Sequence, residues 1–275
     1  MTREELIKQL TGKSKEMRLN ILDIAGKCEN THVPSASSCC DIVTALYFHF
    51  MNYDPKNPLD KNRDRFILSA GHKSMVQYAA LNLLGVIPDE MIDTIEQYNS
   101  PLAGHPVYKK CPGVEASTGS LGHGLSIAAG MAQAAKMDGE DYKVYCIVGD
   151  GESNEGSIWE AAMSAAKYKL DNLVMILDRN RMSATYPISM PMTDYKAALE
   201  SFGFACREIN GNNMAEVVEA LETLPYAEGK PNAIIANTIK GYGIPFAINN
   251  SKWHAAYWSP EKVAEAKKLI EEMEG

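Results

Sequence analysis

The sequence predicts an α/β chain built on a doubly wound, mostly parallel sheet with helices on both faces, forming a single domain over residues 1–275. Three observations predict it. Apolar runs of strand length alternate with helical patterns along the whole chain, which is the order of crossover-connected parallel strands. Between residues 144 and 180 the pattern is an apolar run ending in Gly149-Asp150-Gly151, a helical stretch and a second apolar run ending at Asn180, a strand, crossover helix and strand in sequence. A chain of 275 residues with 45% hydrophobic content is long enough to bury one sizeable core.

Taken in order, residues 1–26 alternate charges with Leu6, Leu10, Met17, Leu19 and Ile21, the pattern of an amphipathic helix. Residues 41–51 read as helical, 65–69 as extended and 73–84 as helical, followed by an irregular stretch to Gly113. Gly119-Ser120-Leu121-Gly122-His123-Gly124 is a glycine-rich turn that matches no standard phosphate loop, and it opens a small-residue helix over 125–137. After Asn180, extended segments are expected at 204–209 and 233–239 around a helix at 214–224. A loop carrying Gly241-Tyr242-Gly243-Ile244-Pro245 and Trp253-His254 leads to a charged helix over 260–274. No repeat or low-complexity tract interrupts this order.

The net charge of −8 comes without a basic cluster longer than scattered lysine pairs, so no nucleic-acid partner is expected. No run of eighteen apolar residues and no signal-type segment occur, so neither a membrane partner nor export is expected, and the reading is a cytoplasmic enzyme. The six cysteines include no Cys-x-x-Cys pair, which points to reduced thiols. Adjacent Cys39 and Cys40 are read as small apolar fillers at a helix start rather than as a redox pair.

In open parallel sheets ligands bind beyond the carboxyl ends of the strands, and Asp150 and Asn180 occupy two such ends. A carboxylate, an amide oxygen and a loop carbonyl form a hard, oxygen-only set suited to Mg²⁺ or Ca²⁺ with diphosphate oxygens. Gly149 and Gly151 leave room for close approach of a ligand, and the helix that follows offers free N–H groups. His32, His72, His105 and His254 all fall in loops that could converge at one sheet end, whereas His49 lies in a helical pattern and is read as structural.

Gly-Asp-Gly followed thirty positions later by Asn, with Glu155-Gly156 just inside the intervening helix, resembles the thiamine diphosphate motif. Thr31-His32-Val33-Pro34, Ser69-Ala70-Gly71-His72, Gly104-His105-Pro106, the stretch from Pro112 to Gly124, Lys240-Gly241-Tyr242-Gly243 and Trp253-His254 line up in order with the amino-terminal half of transketolases. The resemblance spans most of the chain. Because Gly275 falls where single-chain transketolases continue into a pyrimidine-binding domain, the chain looks like the separately encoded amino-terminal subunit of a split enzyme.

The resemblance implies a thiamine diphosphate-binding fold and a transferase that works only with a carboxy-terminal partner subunit, two copies of each chain forming a heterotetramer. It implies metal binding by Asp150, Asn180 and the Met182 carbonyl, and cofactor contact by His72, Gly119, Ser120, Leu121, Gly149, Asp150, Gly151, Glu152, Glu155, Asn180 and His254. His32, His72, His105 and His254 would be the catalytic histidines, with His32 and His105 facing the sugar, and Glu155 would be a buried carboxylate coupling paired sites. The implied reaction passes a two-carbon ketol unit from a ketose phosphate to an aldose phosphate, as in the pentose phosphate pathway, with the cofactor as electron sink.

Three departures bear on the substrate: the loop around His32 lacks the family's glycines, His123 stands where Gln is common, and Lys73-Ser74-Met75 replaces smaller residues after His72. A specialised sugar donor is one alternative. A related thiamine-dependent half-enzyme, such as a relative of deoxyxylulose phosphate synthase, and a non-catalytic partner-binding paralogue are others. A nicotinamide-binding reading fails for want of Gly-x-Gly-x-x-Gly after the first strand.

Overall fold

A computed structural model of the chain describes residues 1–184 and 187–273. Among them, five strands form one sheet in the order β1-β2-β3-β5-β4, and every pairing is parallel. The expected parallel, doubly wound architecture is present without any antiparallel pair among these strands.

Helix α1 (Arg3–Ala25) starts at a capping box, with Thr2 Oγ1 accepting the Glu5 N–H and the Glu5 carboxylate accepting the Thr2 N–H. Its Leu6, Leu10, Met17, Ile21 and Leu22 are buried. Two short helices follow, α2 (Val33–Ser38) and α3 (Cys40–Ala45), the latter running into a π-helical turn at Leu46–Phe50. The helix expected over 41–51 is therefore shorter and changes pitch. Strand β1 (Arg65–Leu68) leads through a 3-10 turn to α4 (Ser74–Leu83), and the irregular stretch beyond contains one short helix, α5 (Asp89–Ile92).

The glycine-rich turn opens α6 (Gly124–Asp138), followed by β2 (Val144–Gly149), α7 (Gly156–Lys167) and β3 (Leu173–Arg179). Helix α8 (Tyr195–Ser201) then crosses to β4 (Ala205–Asn210), α9 (Met214–Glu222) and β5 (Asn232–Asn237). Helix α10 (Pro260–Glu271) closes the chain, and position 274 of the expected 260–274 helix lies outside the described residues.

Alternation along the strands splits the core in two. Phe66, Tyr145, Ile147, Val174, Ile176 and Ile234 face α1, α3, α4 and α9, while Ile67, Cys146, Val148, Met175, Leu177 and Ile235 face α6, α7 and α8. Both faces of β2 and β3 are covered, so their residues are apolar throughout until each strand reaches its carboxyl end. Cys39 and Cys40 are fully buried at the α2–α3 junction and unpaired, where burial raises both thiol pKa values, that of Cys40 to about 11.

Candidate active site

The polar residues that break the apolar strands gather at one sheet end. Asp150 follows β2, and its buried carboxylate accepts the backbone N–H groups of Gly151 at 2.9 Å and Arg181 at 2.5 Å. Arg181 has φ +64°, an uncommon conformation for a residue with a side chain, and this turns its N–H back toward Asp150. Asn180, at the end of β3, accepts the Met182 N–H on Oδ1 at 3.0 Å. A Cβ built on Gly151 would lie 3.9 Å from the Met182 carbonyl oxygen. Asp150, Asn180 and Met182, from two strand ends thirty positions apart in sequence, thus surround one turn.

Beneath this turn lies a buried ion pair to which the sequence pattern assigned no role. Asp178, fully enclosed, accepts from Lys73 Nζ and Ser38 Oγ at 2.5 Å each, from Thr238 Oγ1, and from Asn180 Nδ2 at 3.3 Å. Burial works against the Lys73 charge, but Asp178, Cys39 and Asp150 together hold its pKa above the ordinary value. Burial, then the neighbouring Asp178, pushes the Asp150 pKa up to about 6, while the Arg181 and Gly151 N–H groups and Lys73 pull it down. The first charged residue after the run Leu-Val-Met-Ile-Leu was the sequence signal for Asp178, and Lys73 stood out only as an oddity beside His72.

Three of the four loop histidines converge. His32 lies just before α2, His72 in the turn after β1 and His254 in the loop before α10, with ring centroids 5.2 Å apart for His32–His72, 4.9 Å for His32–His254 and 5.9 Å for His72–His254. All three are held uncharged near neutrality. Burial is the main cause in each: His32 falls to about 4, aided by His105 and Lys240; His72 to about 2, aided by Lys73 and His32; and His254 to about 4, aided by Lys240 and His32. His105 is exposed at the rim and packs on Gly119, where a Cβ would come within 2.9 Å of its ring.

The glycine-rich turn borders the same space, with Ser120 and Leu121 exposed and Gly119 at φ +132°, a conformation suited to glycine. Glu152 spends its carboxylate inside the protein, accepting from Ser69 Oγ at 2.5 Å and from the N–H groups of Gly122 and Gly149 at 2.9 Å each. It ties β1, β2 and the turn together, so its action on a ligand is indirect. Glu155, expected to be buried, is exposed in the single chain because it stands at the N-cap of α7, on the surface. His123 is likewise exposed, its Nδ1 3.1 Å from the Leu121 carbonyl, and His49 lies on the π-turn, away from the site. A separate groove of about 950 Å³ between α1 and α9 is lined by none of the residues of this site.

Residues 11–271 match the family described as transketolase, thiamine diphosphate binding domain. The chain belongs to the transketolase family. It is 40% identical, over 97% of its length and 95% of the relative's, to one of the subunits of the apulose-4-phosphate transketolase of Phocaeicola vulgatus. It is also 40% identical, over 94% of its length and 96% of the relative's, to the 6-deoxy-6-sulfo-D-fructose transketolase subunit SqwG of a Clostridium species. Transketolase from Leishmania mexicana superposes with a TM-score of 0.89 at 28% identity, covering 95% of this chain and 41% of that one. The transketolase of Campylobacter jejuni gives 0.86 at 31% identity, covering 97% and 43%. This chain therefore spans about two fifths of the solved transketolases but nearly all of the two relatives named as single subunits. The part of the transketolases it matches is their thiamine diphosphate-binding domain.

The residues fit that cofactor's diphosphate and a hard cation. The donors around Asp150 are a carboxylate, an amide oxygen and a backbone carbonyl, all oxygen, and the flanking Gly149 and Gly151 present no side chain. Among the described residues, no group of three His, Cys, Asp or Glu side chains is placed to hold a metal ion.

Proposed function

We propose that this chain binds thiamine diphosphate and Mg²⁺, or Ca²⁺, through Asp150, Asn180 and the Met182 carbonyl, and transfers a ketol unit from an anionic ketose together with a carboxy-terminal subunit. The observation that supports it best is the meeting of three uncharged imidazoles with the Asp150 and Asn180 side-chain oxygens at one sheet end. Gly119, Ser120, Leu121, Gly149 and Gly151 line the diphosphate side, and Glu152 holds them in place. When bound, thiamine diphosphate supplies the carbon nucleophile and electron sink for C2–C3 cleavage.

The protein's own residues do the rest. His32 and His105 hold or move protons at the carbonyl and hydroxyl oxygens of the sugar, and His72 and His254 face the cofactor. Neutral imidazoles serve this role because each carries one donor and one acceptor nitrogen. The relatives named for apulose 4-phosphate and 6-deoxy-6-sulfo-D-fructose favour a phosphorylated or sulfonated ketose as donor. The altered His32 loop fits a specialised donor of that class, within or beside pentose phosphate chemistry.

The assembly we propose is a cytoplasmic heterotetramer with two copies of each chain, in which Glu155 becomes buried between copies. No helix among the described residues is long and apolar enough to cross a membrane. The test is to co-express the chain with the thiamine-type polypeptide encoded beside it and assay aldehyde release from xylulose 5-phosphate with ribose 5-phosphate, thiamine diphosphate and Mg²⁺. Turnover by the pair and by neither chain alone supports the proposal. A stable, cofactor-loaded pair that is inactive with these sugars calls for a different donor, and absence of association and cofactor binding overturns the reading.

A further inference from the structure

Lys240 is 4% exposed, yet among the described residues both of its hydrogen-bond partners are uncharged: Nζ lies 2.8 Å from Nδ1 of His254 and 2.8 Å from the Ser183 carbonyl oxygen. A buried ammonium held by neutral acceptors costs free energy that a buried ion pair, such as Lys73–Asp178, partly recovers. The backbone around it is fixed. Gly241 N–H donates to the Pro34 carbonyl, Asn249 N–H donates to the Lys240 carbonyl, and a Cβ on Gly241 would strike the Ala247 carbonyl at 2.7 Å. The lysine therefore stands on a rigid base between two segments of the site: the loop that follows Asn180 and Met182, and the loop that carries His254.

An ammonium has three donors and no acceptor. Whatever it touches must present a lone pair, so Nδ1 of His254 carries no proton and the ring proton resides on Nε2. We propose that Lys240 is a positioning residue for the reaction proposed above: its ammonium locks His254 as the Nε2–H tautomer and holds its ring edge-on to His32. The charge states agree with this. Lys240 is lowered to about 8 by burial and by Lys73, and remains protonated at pH 7, while His254 remains neutral. Asp178 and Asp150, acting through space, favour the lysine's charge. The consequence is that His254 presents a hydrogen-bond donor, not an acceptor, from its free ring nitrogen.

Outer partners that fix the tautomer of metal-bound histidines are worth about 10- to 100-fold, and an effect on that scale is expected for Lys240. The catalytic consequence rests on the proposed function, whereas the tautomer does not. The test is a long-range ¹H–¹⁵N correlation spectrum of the full chain at pH 7, with the His254 signals assigned by their loss in His254→Gln. The expected result is a pyridine-type Nδ1 and a pyrrole-type Nε2 in the wild type, averaged signals in Lys240→Met, and recovery of the single tautomer in Lys240→Arg, which keeps a donor-only group. A pyrrole-type Nδ1 in the wild type overturns the proposal on its own, whether or not the variants fold, and so does a spectrum unchanged by a folded Lys240→Met.

In the co-expressed pair, Lys240→Met should lower kcat by about 10- to 100-fold and change the donor KM less, because substrate contacts are retained. An unchanged kcat overturns the positioning role. An inactive wild-type pair with the Nε2–H tautomer in place would instead count against the proposed function alone.

Discussion

Replacing Lys73 with Met removes the cation in direct contact with Asp178, and the structure gives the size of the effect. The two side chains are 2% and 0% exposed and meet at 2.5 Å. Breaking a buried pair by deleting one partner costs about 3–5 kcal/mol, because an uncompensated charge is left in the interior. Asp178 keeps its bonds from Ser38, Thr238 and Asn180, which argues for the lower end, about 3 kcal/mol. At about 2–4 °C per kcal/mol for a domain of this size, the melting temperature should fall by about 6–12 °C. Asp178→Asn should also destabilise, since it strands the lysine. The double variant Lys73→Met/Asp178→Asn buries neither charge and should be less destabilised than the sum of the two by at least about 1 kcal/mol. Urea unfolding of the four proteins measures this cycle. Additivity within about 0.5 kcal/mol would refute the buried pair as an energetic unit.

Other outcomes follow from neighbouring geometry. Gly71→Ala would place a Cβ 2.7 Å from the Gly119 nitrogen and 2.8 Å from Thr118 backbone, so it should cost about 1–3 kcal/mol and push the turn that carries His72 away from the glycine-rich turn at Gly119, read by thermal melting and by weaker cofactor binding in calorimetry. Glu152→Ala leaves three buried donors without their acceptor and should cost at least about 3 kcal/mol in urea unfolding; a loss under about 1 kcal/mol would contradict its role as a tie. His32, His72 and His254 have folded pKa values below the ordinary 6.5, so the unfolded chain binds more protons in between, and their contribution to stability is intact above about 6.5 and lost as pH falls, toward about 4 for His32 and His254 and toward about 2 for His72. Imidazole signals of all three that stay flat from pH 8 to 5 would agree with this, and any midpoint above pH 6 would not.

Strands β2 and β3 were legible because both faces are covered and their apolar runs end abruptly, at Gly149-Asp150 and at Asp178, and the parallel register that pairs Gly149 with Asp178 brings Asp150 and Asn180 to the same sheet end. Helix α8 had no counterpart in the sequence pattern, since Tyr195–Ser201 makes barely two turns and its only strong signal is the Asp194 cap on the Ala197 N–H. The glycine-poor stretch after His32 forms the buried helix α2, with Pro34 in its first turn and no left-handed residue among 31–38, so glycine is not required there. The Lys73–Asp178 pair and the Lys240–His254 contact join segments 105 and 14 residues apart through side chains alone, and no periodicity in a sequence encodes such pairings. Glu155, expected to be buried, is exposed in the single chain, where it stands at the N-cap of α7.

If Asp150 and Asn180 hold the cofactor's diphosphate through a divalent cation, titration of thiamine diphosphate into the co-expressed pair reads it. Calorimetry should show saturable binding that requires Mg²⁺ and disappears in Asp150→Ala, with the pair still assembled. Binding of equal strength without a divalent cation, or undiminished by Asp150→Ala, would contradict the account.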